Sequence, residues 1–260
     1  MKRKKWVMLG CALAVLLGIA CNLSLKTVFY DIETDKLDAQ IKIAFLSDVH
    51  NSRFGKGQSG IIDEIEAYGA DIVVFGGDLF DEYNKEENSW ALVDALAQKY
   101  PCFYAVGNHE FKTRKVTEYK EKMSERGVRV LVDETEVIEI NGQQIRICGT
   151  ENVWDENAVS ELDDKYSVLI HHYPNDFPEL SVKGFDLILA GHAHGGQWRI
   201  PGILNGLYAP DQGLFPEYAG GYYCENGTEM IVSRGMWKHY GIIYIPRVFN
   251  RPELVFVTLN

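Results

Sequence analysis

Five short apolar runs in this chain each stop at a residue able to hold a metal ion. Ile43-Ala44-Phe45-Leu46 leads to Asp48 and His50, Ile72-Val73-Val74-Phe75 to Asp78, and Phe103-Tyr104-Ala105-Val106 to Asn108 and His109. Val168-Leu169-Ile170 leads to His171 and His172, and Leu187-Ile188-Leu189-Ala190 to His192 and His194. Six of the seven histidines fall at these endings, with only His239 elsewhere, a sorting that scattered structural histidines would not show. Ligands at the carboxyl ends of successive buried strands converge in space however far apart they lie in sequence. Singly, each residue has a plainer reading: Asp48 as a turn former, the 171–172 doublet as one core and one surface histidine, His192 and His194 as members of a glycine turn. Jointly they point to a metal site.

The residue types narrow the chemistry. Asp48 and His50 are two apart on one side of an extended chain. Gly77-Asp78-Leu79-Phe80-Asp81 offers a carboxylate in a tight turn, able to bridge two cations. Gly191-His192-Ala193-His194-Gly195-Gly196 presents two imidazoles where glycine permits close backbone approach. Carboxylate, imidazole and amide ligands without thiolate suit Mn, Fe or Zn. Two such ions roughly 3.5–4 Å apart clamp both ends of an in-line displacement at phosphorus.

The elements that must position these residues alternate. An apolar strand at 41–46 precedes a helix near 58–68, and a strand at 71–76 precedes a helix near 86–99. A strand at 102–106 precedes a helix near 113–126. This alternation predicts βαβ units with parallel strands. The pattern then changes to strands at 128–132, 136–140 and 144–148, the last two joined by Asn141-Gly142, a strong hairpin signal. Strand and loop character dominates after Val168, with further strands at 229–233, 242–245 and 253–259. Two sheets packed together with helices outside satisfy this order, which predicts a four-layer α/β/β/α sandwich of two mixed sheets.

The 260 residues, 46% of them hydrophobic, suit one good-sized domain plus an appendage. A net charge of −11 argues against nucleic acid as a partner, though not against a phosphorylated small molecule, since bound cations reverse the local field. Lys2, Arg3, Lys4 and Lys5 precede a charge-free span reaching to Lys26, about 20 residues, long enough to cross a bilayer as one helix. The basic cluster predicts a cytoplasmic N-terminus and an extracytoplasmic remainder in a single-pass membrane protein. Residues 1–25 are read as a signal anchor, 26–40 as a juxtamembrane linker with an extended piece near Val28-Phe29-Tyr30, and 41–260 as the functional domain. The alternatives are export after cleavage near Gly18 and Ala20, or a lipid anchor on Cys21. Cys102 and Cys148 read as buried apolar groups, Cys224 falls in a hairpin-like stretch, and no disulfide framework is suggested.

The ordered motifs D-x-H, G-D-x-x-D, G-N-H-E, H-x-P and G-H-x-H resemble those of the calcineurin-like metallophosphoesterase superfamily. The stretch Gly195-Gly196-Gln197 and the ending Arg247–Glu253 are similar to its bacterial membrane-associated branch. The resemblance implies a four-layer fold, two divalent metals, and a set of roles. Asp48, His50 and His194 would hold one ion, and Asn108, His172 and His192 the other, with Asp78 bridging. His172 rather than His171 matches, because His172-Tyr173-Pro174 fits the histidine motif, and adjacent strand residues point to opposite faces. His109 would be a non-ligand histidine that stabilises charge and protonates the leaving oxygen. Asp81 and Glu110 would orient the turns or His109.

The expected function is hydrolysis of a phosphodiester, phosphomonoester or pyrophosphate at the membrane or envelope, on a lipid-linked or nucleotide-sugar substrate. The rival is a non-catalytic scaffold on the same fold; the complete ligand set favours the enzyme. Arg53, Arg199 and Arg234 are candidates to grip phosphate, although a solvated surface arginine is the commoner case. Residues 202–223, rich in glycine, proline and aromatics, are read either as a pocket wall that sets specificity or as an ordinary packed loop.

Overall fold

The computed structural model describes residues 2–151, 162–238 and 246–260. His239 and the strand expected at 242–245 lie outside the described residues. The first half contains α1 (Lys2–Ala20), β1 (Lys26–Ile32), β2 (Ile41–Leu46), α2 (Ser59–Tyr68), β3 (Ile72–Gly76), α3 (Glu87–Ala97) and β4 (Cys102–Ala105). It ends with α4 (Asn108–Lys112), α5 (Val116–Glu125) and β5 (Arg129–Val130). The second half contains β6 (Glu134–Ile140), β7 (Gln143–Gly149), β8 (Tyr166–Ile170), α6 (Phe177–Leu180) and β9 (Leu187–Ala190). β10 (Tyr208–Ala209), β11 (Gly213–Leu214), β12 (Gly221–Glu225), β13 (Thr228–Val232) and β14 (Glu253–Leu259) complete it.

Two six-stranded mixed sheets result, ordered β1-β14-β2-β3-β4-β5 and β12-β13-β9-β8-β7-β6. β2 to β5 run parallel in the first, and β7, β8, β9 and β13 run parallel in the second. The apolar runs are continuous because both faces of these strands are buried. Ile41, Ile43 and Phe45 of β2 meet Val168, Ile170, Leu187 and Leu189 of the second sheet in one inter-sheet core. Ala44 and Leu46 point the other way, into a core shared with Ile61 and Ile65 of α2 and Leu92 and Leu96 of α3. The outer face of the second sheet packs Leu169, Ile188 and Met230 against Phe177 and Leu180 of the short helix α6.

The Asn141-Gly142 turn joins β6 to β7 as an antiparallel hairpin, both residues having positive φ (53° and 79°), as a type I′ turn requires. The helix expected near 113–126 is α5 (Val116–Glu125), preceded by the separate short helix α4. Thr113 Oγ1 donates to the Glu110 carbonyl (2.7 Å) and accepts from Lys115 N–H (3.2 Å), and Arg114 turns left-handed between α4 and α5 (φ 62°). The segment read as a linker contributes β1, whose seven residues pair in parallel with β14 at the sheet edge. All five cysteines are free.

The N-terminal segment corrects the expected transmembrane helix. α1 is helical, but no helix among the described residues is long and apolar enough to cross a membrane. The charge-free span does not form one helix: α1 stops at Ala20, and Leu25 already packs against the domain core. Its helical part, Trp6–Ala20, is roughly 22 Å long, short of a hydrocarbon core of about 30 Å.

Candidate metal centre

The carboxyl ends of β2, β3 and β4 in one sheet meet those of β8 and β9 in the other, and the side chains just beyond them share one space. Asp48 and Asp78 are fully buried, and His50, His172, His192 and His194 are each at most 5% exposed. Five of these loop residues adopt positive φ without being glycine: Asp48 (53°), His50 (46°), Asp78 (53°), His192 (64°) and His194 (47°). Such strained backbone persists where surrounding contacts over-determine it, and it clusters at working sites.

Asp78 is the centre of the group. Its Oδ2 lies 3.7 Å from His50 Nε2 and 3.2 Å from His172 Nε2, so one oxygen faces imidazoles from both sheets. Its Oδ1 accepts the His109 N–H (2.8 Å). Asp48 Oδ1 lies 4.0 Å from His50 Nε2 and 3.7 Å from His194 Nε2. Two metal-competent groupings emerge: Asp48, His50 and His194 on one side, and Asp78, His172 and His192 on the other. A third geometric grouping, His50, Asp78 and His109, is unsuited to a cation. There the His109 ring is engaged by Glu82 at Nδ1 (2.8 Å) and meets the Lys112 ammonium at Nε2 (3.1 Å).

Orphaned polar atoms test the fit of this donor set to divalent cations. Both ring nitrogens of His50, Asp78 Oδ2, Asn108 Oδ1, His172 Nε2 and His194 Nδ1 are buried without a hydrogen-bond partner. Buried polar atoms are normally satisfied, and this concentration of orphans, among them His50 Nε2, Asp78 Oδ2, Asn108 Oδ1 and His172 Nε2, fits cations held between them. The protonation states agree. Burial pushes His50 and His194 well below the ordinary imidazole range, keeping them as neutral ligands. Burial also opposes charge on His172, but Asp78, Asp48 and the Gly76 carbonyl outweigh it and raise it to about 10. Positive charge is thus favoured at His172 Nε2, where a cation would replace the proton. His172 Nδ1 donates to the Gly76 carbonyl (2.7 Å), which aims Nε2 at the site.

The neighbouring histidine is excluded by its bonds. His171 pairs at Nδ1 with Thr150 Oγ1 (2.6 Å) and at Nε2 with Asp176 (2.8 Å), leaving no nitrogen for a metal. Replacing His171 with glutamine is expected to cost about 1–3 kcal/mol in chemical denaturation while metal content and turnover stay near wild type. A folded His171→Gln protein that had lost its metal would reverse the assignment of the two histidines.

Glu110 and Asp81 shape the turns rather than holding His109. The buried Glu110 carboxylate accepts N–H bonds from Gly107 and Asp78 (both 3.0 Å) and Phe80 (3.1 Å), tying the second and third motif loops together. Burial and the adjacent Asp78 push its carboxyl up to about 8, against the pull of these donors. Asp81 accepts from Asn51 Nδ2 (3.2 Å) and from the backbone N–H of Tyr83 (3.1 Å) and Asn84 (2.7 Å), and stands 3.9 Å from His50 Nδ1. The loops touch so closely that a Cβ on Gly107 would overlap Asp78, and one on Gly191 would overlap Ser47 Oγ and Asp48 Oδ2.

Several working residues escaped the sequence reading. Glu82 orients His109, and burial, which raises its carboxyl, is outweighed by that imidazole and by backbone donors. Ser47 Oγ donates to Asp48 Oδ2 (2.7 Å). Asp211, inside the 202–223 stretch, pairs with His192 Nε2 (2.7 Å), and the Trp237 ring lies 5.0 Å from His50 and 5.2 Å from His194. Adjacency to a motif was the only signal for Ser47 and Glu82. A cavity of about 300 Å³ opens over the site, lined by Asp78, Asn108, His109, Lys112, Tyr173, His192 and His194 with Pro210 and Asp211. Among the described residues, Arg53, Arg199 and Arg234 do not line it, and Lys112 is the cation that does.

The family model described as calcineurin-like phosphoesterase matches residues 41–196. The chain is 30% identical over 233 residues to phosphodiesterase YaeI of Escherichia coli, covering 85% of this chain and 83% of that one. It is 32% identical over 272 residues to an uncharacterised metallophosphoesterase of Aquifex aeolicus, covering 95% and 98% respectively. Among solved structures, Haemophilus influenzae NAD nucleotidase aligns over 76% of this chain and 46% of its own, at 15% identity and a TM-score of 0.49.

Proposed function

Because the chain belongs to the calcineurin-like phosphoesterase family and is a metal-dependent phosphoesterase, we propose that it hydrolyses small phosphodiesters with two divalent cations sharing Asp78. The observation that carries this reading is Asp78 Oδ2, a single buried oxygen facing His50 on one side and His172 on the other. Asp48, His50 and His194 would hold one ion, and Asn108, His172 and His192 the other; the all-nitrogen and oxygen donor set suits Mn, Fe or Zn. When bound, such ions supply Lewis-acid charge to the phosphoryl oxygens and lower the pKa of coordinated water.

The chain's own residues account for the rest. With Nε2 of His192 on Asp211, its Nδ1 is the nitrogen left for a metal. His109 sits at the cavity with Nδ1 on Glu82, a carboxylate placed to stabilise the imidazolium. With Lys112 turned from His109 Nε2 to the substrate, His109 in its protonated form would give the Nε2 proton to the leaving oxygen as the bond between that oxygen and phosphorus breaks. Lys112, 3.1 Å from His109 Nε2, offers its ammonium to a phosphoryl oxygen of the substrate. The preference for diesters rests on the likeness to YaeI, and a 300 Å³ cavity suits a small phosphorylated molecule.

The test is turnover of bis(p-nitrophenyl) phosphate and p-nitrophenyl phosphate by the full chain loaded with Mn, Fe or Zn. The diester is expected to be cleaved faster, and a chelator to abolish cleavage and lower the melting temperature, since metals bind the folded state alone. Absence of turnover with every metal would leave the scaffold reading standing. Faster monoester cleavage would overturn the substrate class.

A further inference from the structure

A second cleft, of about 440 Å³, lies apart from the metal centre and shares no lining residue with it. Among the described residues it is lined by four cations, Lys26, Arg199, Arg234 and Arg251, with Ile19 and Phe249 beside them, and by no acidic side chain. This is unexpected in a chain of net charge −11. The nearest counter-charge is Glu253, fully buried behind the cleft and 3.2 Å from Arg234 Nε. Among the described residues, Lys26, Arg199 and Arg251 have no carboxylate within ion-pair distance. Two of the arginines are held in place by neutral acceptors. Arg251 donates to the carbonyls of Ser24 (3.0 Å) and Leu25 (2.6 Å), and Arg199 to the Gly195 carbonyl (3.4 Å) and Asn205 Oδ1. Like charges gathered and oriented without acids form a site for an anion with several oxygens.

What surrounds the cleft identifies the anion's source. α1 ends at its rim, where the Ala20 carbonyl accepts the Phe249 N–H (2.6 Å). Along α1, Trp6 (71%), Leu13 and Leu17 are exposed, and from Trp6 to Ile19 the helix is apolar around its circumference and uncovered among the described residues. The loop on the other side of the cleft exposes Trp198, Ile200 and Ile203, the last at 83%. A soluble phosphate would use the cations and leave this apolar surface in water. A phospholipid uses both, its headgroup on the cations and its acyl region against the apolar rim.

We infer that this cleft is a headgroup site for an anionic phospholipid, at which the protein docks on a membrane surface with the apolar part of α1 and residues 198–203 against the lipid's acyl chains. Stable docking needs two signals, apolar burial and charge, and the cleft places them side by side.

Co-sedimentation of the full chain with phosphatidylcholine vesicles, with and without phosphatidylglycerol, tests this. Phosphatidylglycerol is expected to raise the bound fraction, and Lys26→Gln with Arg199→Gln to weaken that binding roughly tenfold or more. Turnover at the metal centre should remain, which also reports that the double variant is folded. Where it is not, Lys26→Glu alone, at an exposed strand end, gives the same reading. Lys4→Gln with Lys5→Gln, which leaves the cleft intact, should weaken binding less. Equal binding to both vesicle types, an unchanged phosphatidylglycerol preference in the cleft variants, or displacement from vesicles by millimolar inorganic phosphate would each overturn the proposal. The last would assign the cleft to a free anion.

Discussion

Asp78→Asn is expected to lower kcat for phosphodiester hydrolysis by about 10³-fold or more, equivalent to at least about 4 kcal/mol of transition-state stabilisation. The substitution is nearly isosteric, so Oδ1 can still accept the His109 N–H and the Glu110 loop contacts can persist. What it removes is the negative charge on the oxygen that faces His50 and His172 together. On the proposed reading the two cations would lose their shared ligand, and both sites would weaken. Metal content by elemental analysis should fall in parallel with turnover, while circular dichroism stays native. Turnover within tenfold of wild type, with full metal content, would show that Asp78 does not join the two sites. His192→Ala provides the contrast: it removes one ligand of one site, and the ion beside Asp48, His50 and His194 should be retained better than in Asp78→Asn.

Glu110→Ala has the largest expected effect on folding. Three buried backbone N–H groups, of Gly107, Asp78 and Phe80, lose their acceptor at once. Each unsatisfied donor costs about 1–3 kcal/mol, and partial relaxation brings the total to roughly 3–5 kcal/mol. Because the same bonds tie the Asp78 loop to the Asn108 loop, metal affinity should fall as well. Glu110→Gln retains one acceptor oxygen and should recover about half of the lost stability. Urea denaturation of the apo and metal-loaded forms separates the two contributions. An alanine variant as stable as wild type would mean that water replaces the carboxylate and that Glu110 carries no structural weight.

The local pattern of the chain made much of this site legible. The runs at 43–46, 72–75, 168–170 and 187–190 are buried on both faces, so they are continuous in sequence and their ends are marked by the first residues that cannot be buried in apolar surroundings. Asn141-Gly142 specified its hairpin because few residue pairs accept two positive φ values. The Asp48 and His192 loops could be placed together from motif order. Their contact, with His192 N–H donating to both Asp48 oxygens at 3.1 Å, could not.

Elsewhere long-range contacts override local pattern. Absence of charge from Trp6 to Leu25 suggested one spanning helix, but Leu25 packs into the domain core and Lys26 begins an edge strand beside β14, more than two hundred residues away. Arg199 and Arg234 follow motif loops in sequence, yet the fold turns both into a cleft separate from the metal-competent groups. Asp81, the obvious neighbour for His109, folds back on Asn51 and Asn84, and Glu82 takes that place.

The sequence by itself determined which side chains could bind metal, the strand ends that carry them, and the family chemistry they serve, because ligand type and strand burial are properties of short stretches. Only the tertiary structure decided that Asp78 Oδ2 is shared between the two groups, that His171 is spent on Thr150 and Asp176, and that Glu82 orients His109. Those facts depend on which oxygen meets which nitrogen across two sheets. That pairing is set by packing of the inter-sheet core, and no local pattern encodes it.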